Sequence, residues 1–250
     1  MASAADIVER SRVLFRAEKW LQIHAGKHPA IFFPLYVATR GETLQIVRPH
    51  TEILIEGFPR SANSFAVVAF NHAQGGGADI SNNLHVPAQI MRAAKWSIPT
   101  LVLLRNPRAA VLSYAVRDPI SVERALKHYV SFYESIEVHK DSFVLGLFDE
   151  VTSDYGSVIE RVNEKFGTNF APFRHTEENV AEVFRFIDEV YERDFDGGTS
   201  FEDAVSRPSE SRGKAKERVR SELETPRAKK LLDRAEAVYE RLAGSGSRKE

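Results

Sequence analysis

The residues with the most chemistry to offer lie in the stretch 51–65. It reads Thr51-Glu52-Ile53-Leu54-Ile55-Glu56-Gly57-Phe58-Pro59-Arg60-Ser61-Ala62-Asn63-Ser64-Phe65. Ile53, Leu54 and Ile55 form an apolar run of strand length, Gly57 and Pro59 punctuate it, and residues 65–72 continue as an apolar helix. Strand, tight turn and helix start together bring backbone N–H groups and the positive end of a helix to one point, which is a phosphate site. Set against the phosphate-loop pattern G-x-x-x-x-G-K-[ST], Gly57 fits the first glycine and Ser64 the hydroxyl. Ala62 stands for the second glycine and Asn63 for the lysine. The cation moves to Arg60, inside the loop. Turn chemistry alone also accounts for Gly, Pro and Ser here, so a second group of residues has to decide.

That group is Arg105-Asn106-Pro107 together with Ser113. A nucleotide hydrolase usually ends its next core strand with an aspartate that holds magnesium. Here the apolar run 100–104 ends in Arg105 instead. A cation where a metal-binding carboxylate is expected predicts metal-free anion binding. Ser113 falls about two helical turns beyond Arg105, so its hydroxyl can approach the same phosphate. It can equally bond back within its own helix. Arg60 and Arg105, on neighbouring strand ends, predict two separate phosphates on one ligand.

Periodicity supplies the elements that must position these groups. Helices are expected over 5–25, 65–72, 88–96, from near 108, and over 121–138, 153–166, 177–194, 214–223 and 227–242. Strands are expected over 53–55, 81–86, 100–104 and 143–148, with a further short one at 44–47. Residues 30–37, broken by Pro34, read as a buried connector or edge strand. The glycine run Gly75-Gly76-Gly77 reads as a mobile loop, either a substrate lid or a plain connector. Residues 196–212 read as a long loop and 244–250 as a frayed tail. Strands alternating with helices predict an α/β fold, a three-layer sandwich with a central parallel sheet and a phosphate-binding loop. Ligands of such sheets sit at the carboxyl ends of the strands. One domain over 1–250 is expected, with a nucleotide-binding core at about 51–167 and a C-terminal helical segment at about 175–243.

Composition narrows the function classes. The chain has 250 residues, 43% apolar and 28% charged, with a formal net charge of −1. No global field favours nucleic acid or an anionic membrane, so any anion site is local. Cysteine is absent, which excludes disulfides, thiolate catalysis and cysteine-ligated metal. No run approaches the roughly 18 apolar residues of a membrane span, and 1–23 has no signal-peptide pattern. A cytoplasmic protein is expected, monomer or homodimer.

At this point a resemblance can be stated. Gly57-Phe58-Pro59-Arg60-Ser61-Ala62-Asn63-Ser64-Phe65 resembles the 5′-phosphosulfate loop of sulfotransferases that use 3′-phosphoadenosine 5′-phosphosulfate (PAPS). Arg105-Asn106-Pro107-Arg108-Ala109-Ala110-Val111-Leu112-Ser113 resembles their 3′-phosphate motif. His85-Val86-Pro87 is similar to the segment carrying the family's general base, and Leu147-Phe148-Asp149-Glu150 to a later strand end whose aromatic residue contacts adenine. Ser211-Arg212-Gly213-Lys214 loosely resembles the basic loop that grips the 3′-phosphate. The similarity covers about 52–166. Departures from the pattern are Ala62 for glycine, Asn63 for threonine or serine, Arg60 for the lysine of many cytosolic members, and Phe148 without a tyrosine hydroxyl.

The resemblance implies metal-free, in-line transfer of a sulfuryl group from PAPS to a hydroxyl or amine of a small-molecule or carbohydrate acceptor, with adenosine 3′,5′-bisphosphate (PAP) as product. It implies a binding loop made of Arg60, Ser61, Ala62, Asn63, Ser64 and Phe65, with Arg60 also catalytic. Arg105, Ser113, Phe148, Arg212, Gly213 and Lys214 would complete the nucleotide site. His85 is the expected base and His72 its rival; the remaining histidines are expected at the surface. Phe148 serves equally as core, Arg212 and Lys214 equally as a solvated cluster. Tyr129, Phe132 and Tyr133 serve equally as acceptor pocket or core. Two other readings stay open: a relative that binds the nucleotide without chemistry, and a small-molecule kinase, which Asn63 and the missing carboxylate after Leu104 disfavour.

Overall fold

Four short apolar runs become strands because their neighbours on both sides are apolar too. In the computed structural model, which describes residues 21–41, 43, 45–118, 120–193 and 219–246, the elements run α1 (Pro29–Arg40), β1 (Ile53–Gly57), α2 (Asn63–Ala73), β2 (Ile80–Asn82), α3 (Pro87–Trp96), β3 (Thr100–Leu104), α4 (Pro107–Arg117), α5 (Val122–Glu137), β4 (Val144–Leu147), α6 (Phe148–Ser153), α7 (Tyr155–Phe166), α8 (Glu177–Arg193) and α9 (Pro226–Gly246). The strands form one parallel sheet in the order β2-β1-β3-β4. β1 and β3 are buried along their whole length, as expected of strands covered on both faces.

Alternation along these strands divides the core. Leu54, Val102 and Leu104 face a layer built from α1, α3, α4, α5 and α9. Ile53, Ile55, Leu101 and Leu103 face a layer built from α2, α6, α7 and α8. The three-layer α/β arrangement follows. The C-terminal helices separate: α8 packs on α2, and α9 packs on α5. Arg234 and Arg241 of α9 fasten onto Glu134 and Glu137 of α5 in two-pronged ion pairs. No helix among the described residues is long and apolar enough to cross a membrane.

Several expected elements differ. Residues 30–37 lie inside a helix despite Pro34. Pro29 at its start is already set for helical φ, and burial of Phe32, Phe33 and Tyr36 at about 1.5–3 kcal/mol each outweighs the interior proline's cost of about 3 kcal/mol. Residues 45–47 form no strand. β2 stops at Asn82 rather than reaching 86, and β4 stops at Leu147, so that Phe148 opens a helix. Asp149 and Glu150 in the first turn favour that helix start, and Glu150 accepts a hydrogen bond from the Leu147 N–H at 3.2 Å. The helix expected over 153–166 is Tyr155–Phe166, separated from α6 by Asp154. Most of 5–25, the loop at 196–212 and the first half of 214–223 lie outside the described residues.

Candidate functional site

The sheet order puts β2 on one side of β1 and β3 on the other, so the chain reverses direction between β1 and β3. The crevice beyond their carboxyl ends is the place where open α/β sheets bind ligands. Two loops meet there, residues 58–62 after β1 and Arg105–Asn106 after β3. Gly57 permits the approach: a Cβ on it would lie 2.7 Å from the Leu103 carbonyl and 3.2 Å from Asn63 Oδ1.

The first loop holds an unusual backbone. Arg60 and Ala62 are both left-handed, with φ of 70° and 71°, at a cost of about 1–2 kcal/mol each for non-glycine residues. Its surroundings over-determine it. Asn63 Nδ2 donates to the Phe58 carbonyl at 3.0 Å, and Phe58 N–H donates to the Tyr133 hydroxyl at 3.4 Å. Arg105 Nη1 donates to the Arg60 carbonyl at 2.8 Å. The first helical bond of α2 is Ala66 N–H to the Ala62 carbonyl, so the amides of its opening turn have no intrahelical acceptor. Ser61 is fully buried, beside Tyr133, and its Oγ makes no hydrogen bond; the same holds for buried Asn63 Oδ1. Orphaned polar atoms of this kind are rare in a folded chain and call for an explanation.

The arginines join this loop rather than solvent. Arg60 Nε donates to Ser113 Oγ at 3.1 Å, linking the β1 loop to α4. The Arg105 guanidinium lies 3.8 Å above the Phe148 ring, a cation–π contact. Burial lowers the Arg105 pKa, and Asp149 opposes that shift. Ser113 is buried and faces Arg60 rather than Arg105. Arg60, Arg105, Ser113 and Phe148 therefore form one cluster around the loop. Arg212, Gly213 and Lys214 lie outside the described residues.

α5 supports the cluster from below. Tyr129 donates to the Arg105 carbonyl and Tyr133 to the Leu103 carbonyl, each at 2.7 Å. Burial pushes both phenol pKa values well above the ordinary tyrosine range. With Phe132 they are core residues. They fix the strand ends.

His85 sits in the turn between β2 and α3, not at a strand end, and is itself left-handed with φ 52°. Its Nδ1 lies 2.7 Å from the Gly57 carbonyl. A carbonyl only accepts, so Nδ1 carries a proton, and in the neutral ring Nε2 then has the free lone pair. The rival His72 is near the far end of α2, about 13 Å along the helix axis from Asn63, where it lies 3.8 Å from Glu182. Of the two, His85 is the one beside the loop, against the Gly57 carbonyl. The glycines 75–77 follow α2 and precede β2, so they lie at the amino ends of the strands, the opposite end of the sheet from the loop, and are not a lid over it. Of the other histidines, His128 is buried against Phe58 and Tyr114, and His175 packs on Phe65 and Phe173. Both were expected at the surface; His128 is instead buried, while His175 is half-buried in the loop before α8.

One residue at the site was not anticipated. Glu56 is fully buried. Its Oε1 accepts from the Gly57 N–H at 3.1 Å, and its Oε2 from the Leu84 and His85 N–H groups at 3.0 Å each. The signal was present: β1 is covered on both faces, leaving a carboxylate in it no solvent and only buried partners.

No family model matches the chain, and no curated protein matches it.

Proposed function

We propose that this chain is a PAPS-dependent sulfotransferase, acting on a hydroxyl or amine of a small-molecule or carbohydrate acceptor. The observation that carries the reading is the left-handed loop at the switch point of the sheet, with the buried Ser61 hydroxyl lacking a partner and Arg60 and Arg105 drawn to its two sides. Helix-start amides, an orphaned hydroxyl and two guanidinium groups match the donors that a multiply charged phosphate ligand needs. Asn63, which already bonds the Phe58 carbonyl, contributes no charge where an ATP-hydrolysing loop has lysine.

The chemistry then divides among the residues. His85 Nε2 takes the proton from the acceptor O–H or N–H. The acceptor atom forms its bond to sulfur as the bond from sulfur to the 5′-phosphate oxygen breaks. The electron pair goes to that oxygen, where the amides of residues 61–64 and Arg60 stabilise the growing charge. Preorganised donors of this kind contribute a few kcal/mol each. Arg105 and Ser113 hold the 3′-phosphate; phosphate oxygens take over the acceptor role that Ser113 Oγ fills for Arg60. The Phe148 face not covered by Arg105 offers adenine a stacking surface. PAP and the sulfated acceptor leave, and His85 returns its proton to solvent.

Transfer of radiolabelled sulfate from PAPS across a panel of phenols, alcohols, amines and sugars tests this reading. Labelled product that falls about 10²-fold or more in His85→Ala is expected. Tight binding of PAP with no product from any acceptor would instead leave a nucleotide-binding protein, and magnesium-dependent ATP turnover would indicate a kinase.

A further inference from the structure

We infer that Glu56 is a positioning residue that sets the proton-bearing nitrogen and the orientation of His85, so that one buried carboxylate ties the general base to the first residue of the phosphate loop. The inference rests on the reading of His85 as base, and it starts from a cost. A carboxylate withdrawn from water loses several kcal/mol of solvation unless its oxygens are matched by donors. Glu56 recovers that loss through three backbone N–H groups, from Gly57 on its own strand and from Leu84 and His85 across the sheet edge. Those bonds hold His85 in a backbone conformation costly for a residue with a side chain, and strain of this kind persists only where neighbours impose it.

The imidazole is placed by the same contacts. Nδ1 donates to the Gly57 carbonyl at 2.7 Å and lies 3.4 Å from Glu56 Oε1. While the ring is neutral, the carbonyl accepts the Nδ1 proton and leaves Nε2 to accept, an arrangement that depends on Glu56 holding the Gly57 and His85 backbones in register. When Nε2 gains the acceptor's proton, the ring becomes cationic with the Glu56 carboxylate beside it. Glu56 thus acts through His85 and touches neither substrate. Gly57 is the shared part: its N–H goes to Glu56, its carbonyl to His85, and it leads directly into the loop that would hold the 5′-phosphate. A sequence reader sees Glu56 only as the last polar residue of a short strand. The structure makes it the joint between two halves of the site.

The test uses the full chain and two independent readouts. Long-range 15N spectra of the His85 ring report which nitrogen carries the proton, whether or not the protein transfers sulfate. In the wild type the Nδ1–H form should dominate. In Glu56→Gln, whose amide cannot accept from all three N–H groups, the ring should move toward the Nε2–H form that an unconstrained neutral histidine side chain prefers. Steady-state transfer kinetics give the second readout, with a kcat loss of about 10–100-fold expected in Glu56→Gln, while PAP affinity by calorimetry stays within about threefold. An Nε2–H ring in the wild type overturns the inference even if the variant does not fold. So does an unchanged ring state in Glu56→Gln, or an unchanged kcat. A protein that transfers nothing, yet shows the predicted ring states, counts against the sulfotransferase reading alone.

Discussion

At the scale of single residues, the loop after β1 is held in a conformation that its own side chains disfavour. Ala62 stands in the left-handed region, where the Cβ costs about 1–2 kcal/mol. Glycine there would remove that cost while adding about 0.4–1 kcal/mol of unfolded-state entropy. The first effect is larger, so Ala62→Gly should stabilise the fold by about 0.5–1 kcal/mol, read as a higher midpoint in urea unfolding; a destabilised variant would show that the Ala62 methyl packs usefully. Arg60, Ser61, Ala62, Asn63, Arg105 and Ser113 were legible as a group because glycine, proline, hydroxyl and arginine at strand ends have few other uses together. Glu56 was legible only as a charge after the three-residue apolar run 53–55, where it looks like the end of a strand. The partner of Ser113 was not legible. Spacing alone put its hydroxyl near Arg105, whereas the fold brings it to Arg60.

At the scale of elements, α5 is the support of the site. Its inward stripe carries Tyr129 and Tyr133, whose hydroxyls close the carbonyls of Arg105 and Leu103, and Tyr133 also receives the Phe58 N–H. Removing the Tyr133 hydroxyl leaves a buried carbonyl and a buried N–H without their partner, at about 1–3 kcal/mol. Tyr133→Phe should therefore unfold at lower temperature and bind PAP more weakly, since the residue pins both sides of the loop. An unchanged melting point with unchanged affinity would mean that the loop holds its shape without α5. The helical period of 122–137 announced this element, but not that its aromatic face would point at the strand ends rather than into an acceptor pocket. For 30–37 the misreading had a definite cause: a proline rule about hydrogen bonds was applied where burial of Phe32, Phe33 and Tyr36 is the larger quantity.

At the scale of the whole molecule, the parallel sheet with helices on both faces was legible, because apolar runs of strand length alternate with amphipathic stretches along 53–166. The strand order was not, and it matters most. The order β2-β1-β3-β4 places the chain reversal between β1 and β3, so that Arg60 and Arg105 arrive at the same crevice from adjacent loops. Strand ends were misjudged near His85 and Phe148 because apolar character continues past the last paired residue at both, and only pairing decides where a strand stops.

The central claim is that this crevice holds a doubly phosphorylated adenosine through Arg60 and Arg105. Calorimetry with PAP tests it most directly, on the wild type, on Arg60→Ala and on Arg105→Ala, with thermal unfolding to confirm that each variant is folded. A charge-assisted hydrogen bond to phosphate contributes about 1.5–3 kcal/mol, so each substitution should weaken binding by about 10–100-fold. PAP that fails to bind the wild type, or that binds the folded variants as tightly, would contradict the account.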